Sequence, residues 1–306
     1  MNTANHLPKD HRERMKRVLL SFDGLSIGDG FGECFFTSSS TIERRLSRRD
    51  LPESPWTVTD DTIMALSIVR CLKRHAGIDQ DKLASAFAEE YARNPNRGYG
   101  GMAQQILSAI GDGYSWKEIS RRAFKGQGSC GNGGAMRSAP IGAYFFDDID
   151  RVIYEAKCSA EVTHAHPDGK TGAVSVALAA AWMSQAGEDS GEPNHALIEF
   201  VLTHIPHTET YHELAKALDV PFDTAPRMAA QILGNGSRVI ASDTVPFCLW
   251  CAARHSNSYT DALWATVSGL GDRDTTCAIV GGIVALRAGR DSIPTEWLTA
   301  REPLEI

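Results

Sequence analysis

Two acidic clusters stand about 210 residues apart in this chain. The first is Thr59-Asp60-Asp61-Thr62. The second is Gly271-Asp272-Arg273-Asp274-Thr275-Thr276. Each precedes an apolar run of helical period. Brought together, they would place four carboxylates and at least two hydroxyls in one small volume. Carboxylates packed that densely repel each other unless cations sit between them. Hard divalent cations such as Mg²⁺, Mn²⁺ or Ca²⁺ take all-oxygen ligands. The chemistry predicted is a dinuclear metal site assembled from both ends of the chain. The plainer alternative for each cluster is an N-cap, with an oxygen accepting from free backbone N–H groups and acid favoured by the helix dipole. Two adjacent Asp flanked by two Thr exceed what a cap needs.

A second group of residues suits an anion. Gly126-Gln127-Gly128-Ser129-Cys130-Gly131-Asn132-Gly133-Gly134 is a glycine loop running into a helical stretch. Bare N–H groups at a helix start can cradle a pyrophosphate. The loop matches neither the Walker nor the Rossmann pattern, because no strand precedes it. Thr163-His164-Ala165-His166 offers two imidazoles but no third soft ligand, so a His lining a polar pocket is the better reading than zinc. Asn96-Arg97-Gly98-Tyr99-Gly100-Gly101 is a turn carrying one aromatic that can border a ligand.

The elements that position these groups read as helices. Apolar residues recur at helical spacing from Glu13 to Phe36, where Gly24, Gly28, Gly30 and Gly32 allow close approach of another backbone. Residues 37–58 read as a polar connection. Further helices are predicted over Asp61–His75, Asp79–Ala92, Gly100–Ile110 and Ser115–Ala123, the last capped by Ser115 with Glu118 three residues on. Others span Asn132–Ala143, Ile149–Val162, Lys170–Gln185, Asn194–His204, Glu209–Leu218, Thr224–Leu233, Pro246–Arg254, Tyr259–Ser268 and Thr275–Ala288. Period-2 alternation is absent. The prediction is an all-α fold, with residues 1–12 unstructured and 13–306 a single compact domain. Small-residue stretches at Ala177–Ala181 and Gly281–Gly282 mark central helices.

Bulk properties narrow the class. A net charge of −7 over 306 residues argues against a nucleic-acid surface, and Arg44, Arg45, Arg48 and Arg49 read as a solvated face. Seven scattered cysteines read as reduced thiols, with Cys248 and Cys251 inside an apolar run rather than at a zinc site. No run is long enough to span a bilayer and no secretory leader is legible, so the expectation is a cytoplasmic monomer without membrane contact.

In this order the motifs resemble those of the ADP-ribosylglycohydrolase family. The match runs from Gly28-Asp29-Gly30-Phe31-Gly32 through Thr59-Asp60-Asp61-Thr62, Arg97-Gly98-Tyr99-Gly100, Gly131-Asn132-Gly133-Gly134-Ala135-Met136-Arg137 and Thr163-His164 to Gly271-Asp272-Arg273-Asp274-Thr275. The resemblance implies two Mg²⁺ or Mn²⁺ ions and hydrolysis of the bond between ADP-ribose and an acceptor, arginine first. The substrate would be an ADP-ribosylated protein or a small ADP-ribose conjugate. One ion would be held by Thr59, Asp60, Asp61 and Asp274, the other by Asp272, Asp274 and Thr275. Gly128, Ser129, Cys130 and Gly131 would cradle the diphosphate. Asn132 and His164 would contact the ribose and its phosphates, and Tyr99 and Gly100 the distal ribose. Asp60 or Asp61 would act as general base. The family's usual Glu, which would touch the metal site and help catalysis, falls at Phe36, which leaves Glu33 as the nearest carboxylate. Binding of ADP-ribose without turnover, and hydrolysis of an acylated ADP-ribose, are the alternatives.

Overall fold

The computed structural model describes residues 7–185 and 195–305. It is all-α: sixteen α-helices, no strand among the described residues, and two isolated bridges, Trp56 with Arg301 and Gly131 with Ile240. Residues 1–6 of the expected unstructured start, and the predicted helix start at Asn194, lie outside the described residues.

In chain order the helices are α1 (His11–Glu33), α2 (Ser39–Arg48), α3 (Asp60–His75), α4 (Gln80–Arg93), α5 (Gly101–Gly111), α6 (Trp116–Gly126), α7 (Ala139–Phe145) and α8 (Ile149–Glu161). The second half adds α9 (Pro167–Gln185), α10 (Ala196–His204), α11 (Glu209–Ala215), α12 (Pro226–Leu233), α13 (Ala241–Arg254), α14 (Tyr259–Ser268), α15 (Arg273–Ala288) and α16 (Thr295–Ala300).

Three departures from the sequence reading have local causes. The polar connection holds a helix, α2, because Ser38 caps it by accepting from Thr41 N and only Ile42 is buried. Its mostly polar sequence hid it from an apolar-period search. The stretch Asn132–Ala143 is not one helix. Asn132–Gly134 is a 3₁₀ turn and α7 begins only at Ala139, with Pro140 in its first turn, where proline fits best. Ser115 does precede α6, but its hydroxyl makes no capping bond.

The core is organised around helices buried on nearly every face. From Thr275 to Ala285 every residue of α15 is buried, and α13 is buried through most of its length. The C-terminal half of α1 lies antiparallel against α15 with almost no space between backbones. A carbon added at Gly24 would sit 2.3 Å from the Gly281 carbonyl oxygen, at Gly28 2.1 Å from that of Cys277, and at Gly32 2.2 Å from that of Arg273. The two rows advance four residues at a time in opposite directions, so one glycine meets each turn of α15. The Tyr259 hydroxyl donates to the Gly24 carbonyl at 2.6 Å and closes the same seam.

Beside the end of α1, Phe31 stacks on Trp297 with centroids 4.8 Å apart and touches Trp56 and Trp264. Trp297 belongs to α16, which the apolar periodicity missed because the helix is only six residues long. The segment after it is tied back by Trp56 N donating to Ala300 O and Glu302 N to Trp56 O. The chain end thereby clamps the loop that leads into Thr59.

Candidate active site

The close α1–α15 packing brings three parts of the chain to one place. Asp29 is wholly buried in α1 between Gly28 and Gly30. Its carboxylate accepts from Thr59 N and Thr59 Oγ1, both at 2.9 Å, from Thr62 N at 3.1 Å and from Thr62 Oγ1. Four donors from the start of α3 thus converge on one side chain. Asp29 fixes how the first cluster enters its helix. In the sequence Asp29 stands only as a member of the Gly28–Gly32 motif, with no role of its own. An Asp flanked by glycines inside a helix of buried residues was the available signal.

Thr59 is also the N-cap of α3, its hydroxyl accepting from Asp61 N, so the capping reading is correct for this residue. It fails at the second cluster. Asp272 precedes α15 but makes no side-chain capping bond. Its Oδ2 instead accepts from Asn132 Nδ2 at 2.7 Å, and the same amide reaches Thr244 Oγ1 at 3.1 Å. The clusters meet directly where Thr275 Oγ1 donates to Asp61 Oδ2 at 3.3 Å.

The electrostatics of this arrangement are adverse. Burial, and then the Asp274 charge against hydrogen bonds from Thr62 and Thr59, puts the Asp29 carboxyl at about 7. Burial and Asp274 also push Asp272 up to about 7. Asp60 and Asp61 lie well above the carboxylate range, first through desolvation and then, for Asp60, through the Asp274 and Asp29 charges and, for Asp61, through those of Asp29, Asp274 and Asp60. Asp61 Oδ1 and Asp274 Oδ1 are buried and, among the described residues, have no hydrogen-bond partner. Among the described residues no three His, Cys, Asp or Glu side chains close round one point as a ready cage. The donors are mixed: Asp60, Asp61, Asp272 and Asp274 with Thr59 and Thr275. That all-oxygen set, with two carboxylate oxygens unpartnered, suits a hard divalent cation.

Glu33 closes α1 and is half buried. Burial and then the Asp274 charge raise its carboxyl. The helix does not continue to Phe36, as the sequence reading required. Phe36 is half exposed, and the Arg273 guanidinium lies 4.5 Å over its ring. The loop before α5 covers another side. Asp60 N donates to Arg97 O at 2.6 Å, and Gly98 is in the left-handed region with Asp60 Oδ1 3.3 Å from where a side chain would start. Tyr99 is buried with its hydroxyl unpartnered, and burial and then Asp60 raise it. Gly100 borders open space at the start of α5.

The glycine loop reaches the cluster through Asn132. Ser129 Oγ accepts from Gly131 N at 3.1 Å, Cys130 O from Ala241 N at 3.0 Å, and Gly128 packs on the backbone of His166. The His164 ring lies under Gly131 and Gly133. Burial, then the Arg137 charge, depresses its imidazole to about 3, so it is neutral at physiological pH. A separate cleft of about 930 Å³, lined by Arg70, Lys73, Arg74, Lys82 and Glu89, contains none of these residues.

The chain is 29% identical over 338 residues to ADP-ribosylhydrolase ARH3 of Homo sapiens, covering 94% of this chain and 91% of that protein. It is 24% identical over 297 residues to the ADP-ribosyl-[dinitrogen reductase] glycohydrolase of Rhodospirillum rubrum, covering 92% and 89%. A solved structure titled ADP-ribosylglycohydrolase-related protein complex shares the fold with a TM-score of 0.64 at 22% identity, over 95% of this chain and 94% of that one. A family model described as ADP-ribosylglycohydrolase matches residues 8–305, and the chain belongs to that family.

Proposed function

We propose that the protein is a divalent-metal-dependent hydrolase that cleaves the bond between ADP-ribose and its acceptor. The observation that carries the reading is the pair of buried, unpartnered carboxylate oxygens, Asp61 Oδ1 and Asp274 Oδ1, contributed by helices from opposite ends of the chain. Thr59, Asp60, Asp61 and Asp274 would hold one Mg²⁺ or Mn²⁺, and Asp272, Asp274 and Thr275 the second, with Asp274 shared. Bound there, the ions would supply positive charge to fix ribose hydroxyls and acidify a water.

The protein's own groups do the rest. Asp29 holds Thr59 and Thr62 so that Asp60 and Asp61 keep one orientation. Asn132 fixes Asp272. Asp60, Asp61 or Glu33 would take a proton from the attacking water as the glycosidic bond opens through an oxocarbenium-like transition state. The loop Gly128–Gly131 and His164 would bind the diphosphate and its neighbouring ribose, and Tyr99 and Gly100 would border the distal ribose. We propose a cytoplasmic monomer acting on an ADP-ribosylated protein or small conjugate, with arginine the first linkage to test.

The test is release of free ADP-ribose from arginine-, serine- and acyl-linked substrates with Mg²⁺, Mn²⁺ or a chelator. Turnover on one linkage that the chelator abolishes supports the reading and names the acceptor. Turnover that survives the chelator would sink the metal dependence. A second reading, binding without turnover, rests on Phe36 standing where the family carries Glu. ADP-ribose binding with no release on any linkage would favour it.

A further inference from the structure

Arg137 is the least expected side chain in the molecule. It is fully buried, yet among the described residues it has no carboxylate within hydrogen-bond reach. Its guanidinium lies 4.6 Å over the Phe87 ring, Nη1 points at Met64 Sδ at 3.7 Å, and Nε has no partner. A cation held this way without a counter-ion costs folding free energy. The contacts of Nη2 give it a purpose. Nη2 donates to the Ser159 carbonyl and to Thr163 Oγ1, both at 2.9 Å. Thr163 Oγ1 is in turn 2.7 Å from His164 Nδ1.

The proton count in this chain has one solution. Every N–H of arginine is a donor, so Thr163 Oγ1 accepts from Nη2. A hydroxyl has one proton to give, and among the described residues the only acceptor for it is His164 Nδ1. If Nδ1 held a proton instead, the Thr163 hydroxyl would be a buried donor facing no acceptor. Nδ1 is therefore bare, and the neutral ring carries its proton on Nε2. Among the described residues Nε2 has no hydrogen-bond partner, and it lies 3.1 Å from where a side chain on Gly131 or Gly133 would begin. A substituent at either glycine would crowd that edge.

We infer that Arg137 and Thr163 are positioning residues that lock His164 as an Nε2–H donor beneath the Gly131–Gly133 loop, to serve an oxygen of a phosphorylated ribose. The ligand part of this inference rests on the proposed function. The locking of the ring does not. The buried Arg137 charge also holds His164 neutral, so the ring donates one hydrogen bond and adds no second cation.

Long-range ¹H–¹⁵N NMR of the ligand-free, histidine-labelled chain reads the tautomer directly, with His164→Gln identifying the resonance. Wild type and Thr163→Ser are expected to show a single Nε2–H tautomer. Thr163→Val keeps the shape, removes the hydroxyl, and is expected to lose that preference and weaken ADP-ribose binding about tenfold, with Thr163→Ser restoring it. An Nδ1–H tautomer in wild type overturns the proposal, and this reading stands even if the valine variant does not fold. So does Thr163→Val with tautomer and affinity unchanged. Wild type that shows the Nε2–H tautomer yet fails to bind ADP-ribose would remove the functional reading and leave the locked ring.

Discussion

The two halves of the site hold their polar groups in opposite ways. Around Asp29, Asp60, Asp61, Asp272 and Asp274, carboxylates crowd together among hydroxyls, backbone N–H groups and one side-chain amide, and Asp274 raises the proton affinity of the other four. Around His164 a buried guanidinium acts through a threonine on a ring that is kept neutral. Asn132 stands between them, with its amide on Asp272 and its backbone in the glycine loop. One half stores repulsion that a cation would relieve. The other holds its imidazole neutral and offers a neutral donor. A ligand spanning both would carry hydroxyls at one end and phosphoryl oxygens at the other.

That contrast can be broken by substitution. The largest effect is expected at the acidic half. Asp61→Ala or Asp274→Ala should lower kcat/KM for ADP-ribose release by about 100-fold or more, since each removes a donor that no neighbour replaces. Circular dichroism should show the helices retained. Full activity in both variants would contradict the metal-assisted reading.

The rigidity of the acidic half should be visible in stability. Gly28→Ala forces a carbon to within 2.1 Å of the Cys277 carbonyl oxygen, where both partners are backbone. We expect a loss of about 3 kcal/mol, measured by denaturant unfolding. Gly100→Ala meets open space and should change stability by under about 0.5 kcal/mol. Equal effects at the two positions would mean that the α1–α15 seam is looser than its geometry indicates.

Cation binding should separate the halves next. At 100 times its Kd, Mg²⁺ or Mn²⁺ should stabilise the chain by roughly 3 kcal/mol, reversed by chelator. The gain should shrink in Asp274→Ala and persist in His164→Gln. It should also be smaller at pH 5 than at pH 8, because protons held by the raised carboxyls compete with the ion.

The smallest effect belongs to the neutral half. His164 falls to about 3 when folded, against 6.5 for an ordinary imidazole. The unfolded chain therefore binds a proton that the folded one refuses. The stability linked to this residue is present above pH 6.5 and is lost as pH falls toward 3. The difference in Tm between wild type and His164→Gln should therefore drift against wild type as the solution is acidified from pH 7 to pH 4. A flat difference would mean that the ring is not buried in its neutral form.

Much of this was legible in the chain. The all-α fold followed from helical periodicity without alternation. The close approach at Gly24, Gly28 and Gly32 was readable because glycines four apart on a buried helix leave a groove for another backbone. The acidic clusters announced themselves because two Asp and two Thr exceed the needs of a cap. The helices α2 and α16 were not legible. One buries a single apolar residue and the other is too short to display a period.

What the sequence determined by itself was the donor chemistry: oxygen-rich acid at the starts of two apolar helices, and a bare-backbone loop ahead of a histidine. What tertiary structure decided was how each donor is used. Asp29 became the anchor of a cluster 30 residues on, because α1 and α3 pack side by side. Asp272 gave up capping for Asn132, 140 residues earlier. Glu33 is the last residue of α1 and Phe36 lies half exposed beyond it, so the two do not share a helix face. Arg137 finds Thr163 only because α8 folds back over the loop, 26 residues later in the chain. Each outcome depends on which groups meet after long-range packing, and hydrogen-bond direction, charge coupling and burial have no value until those distances exist.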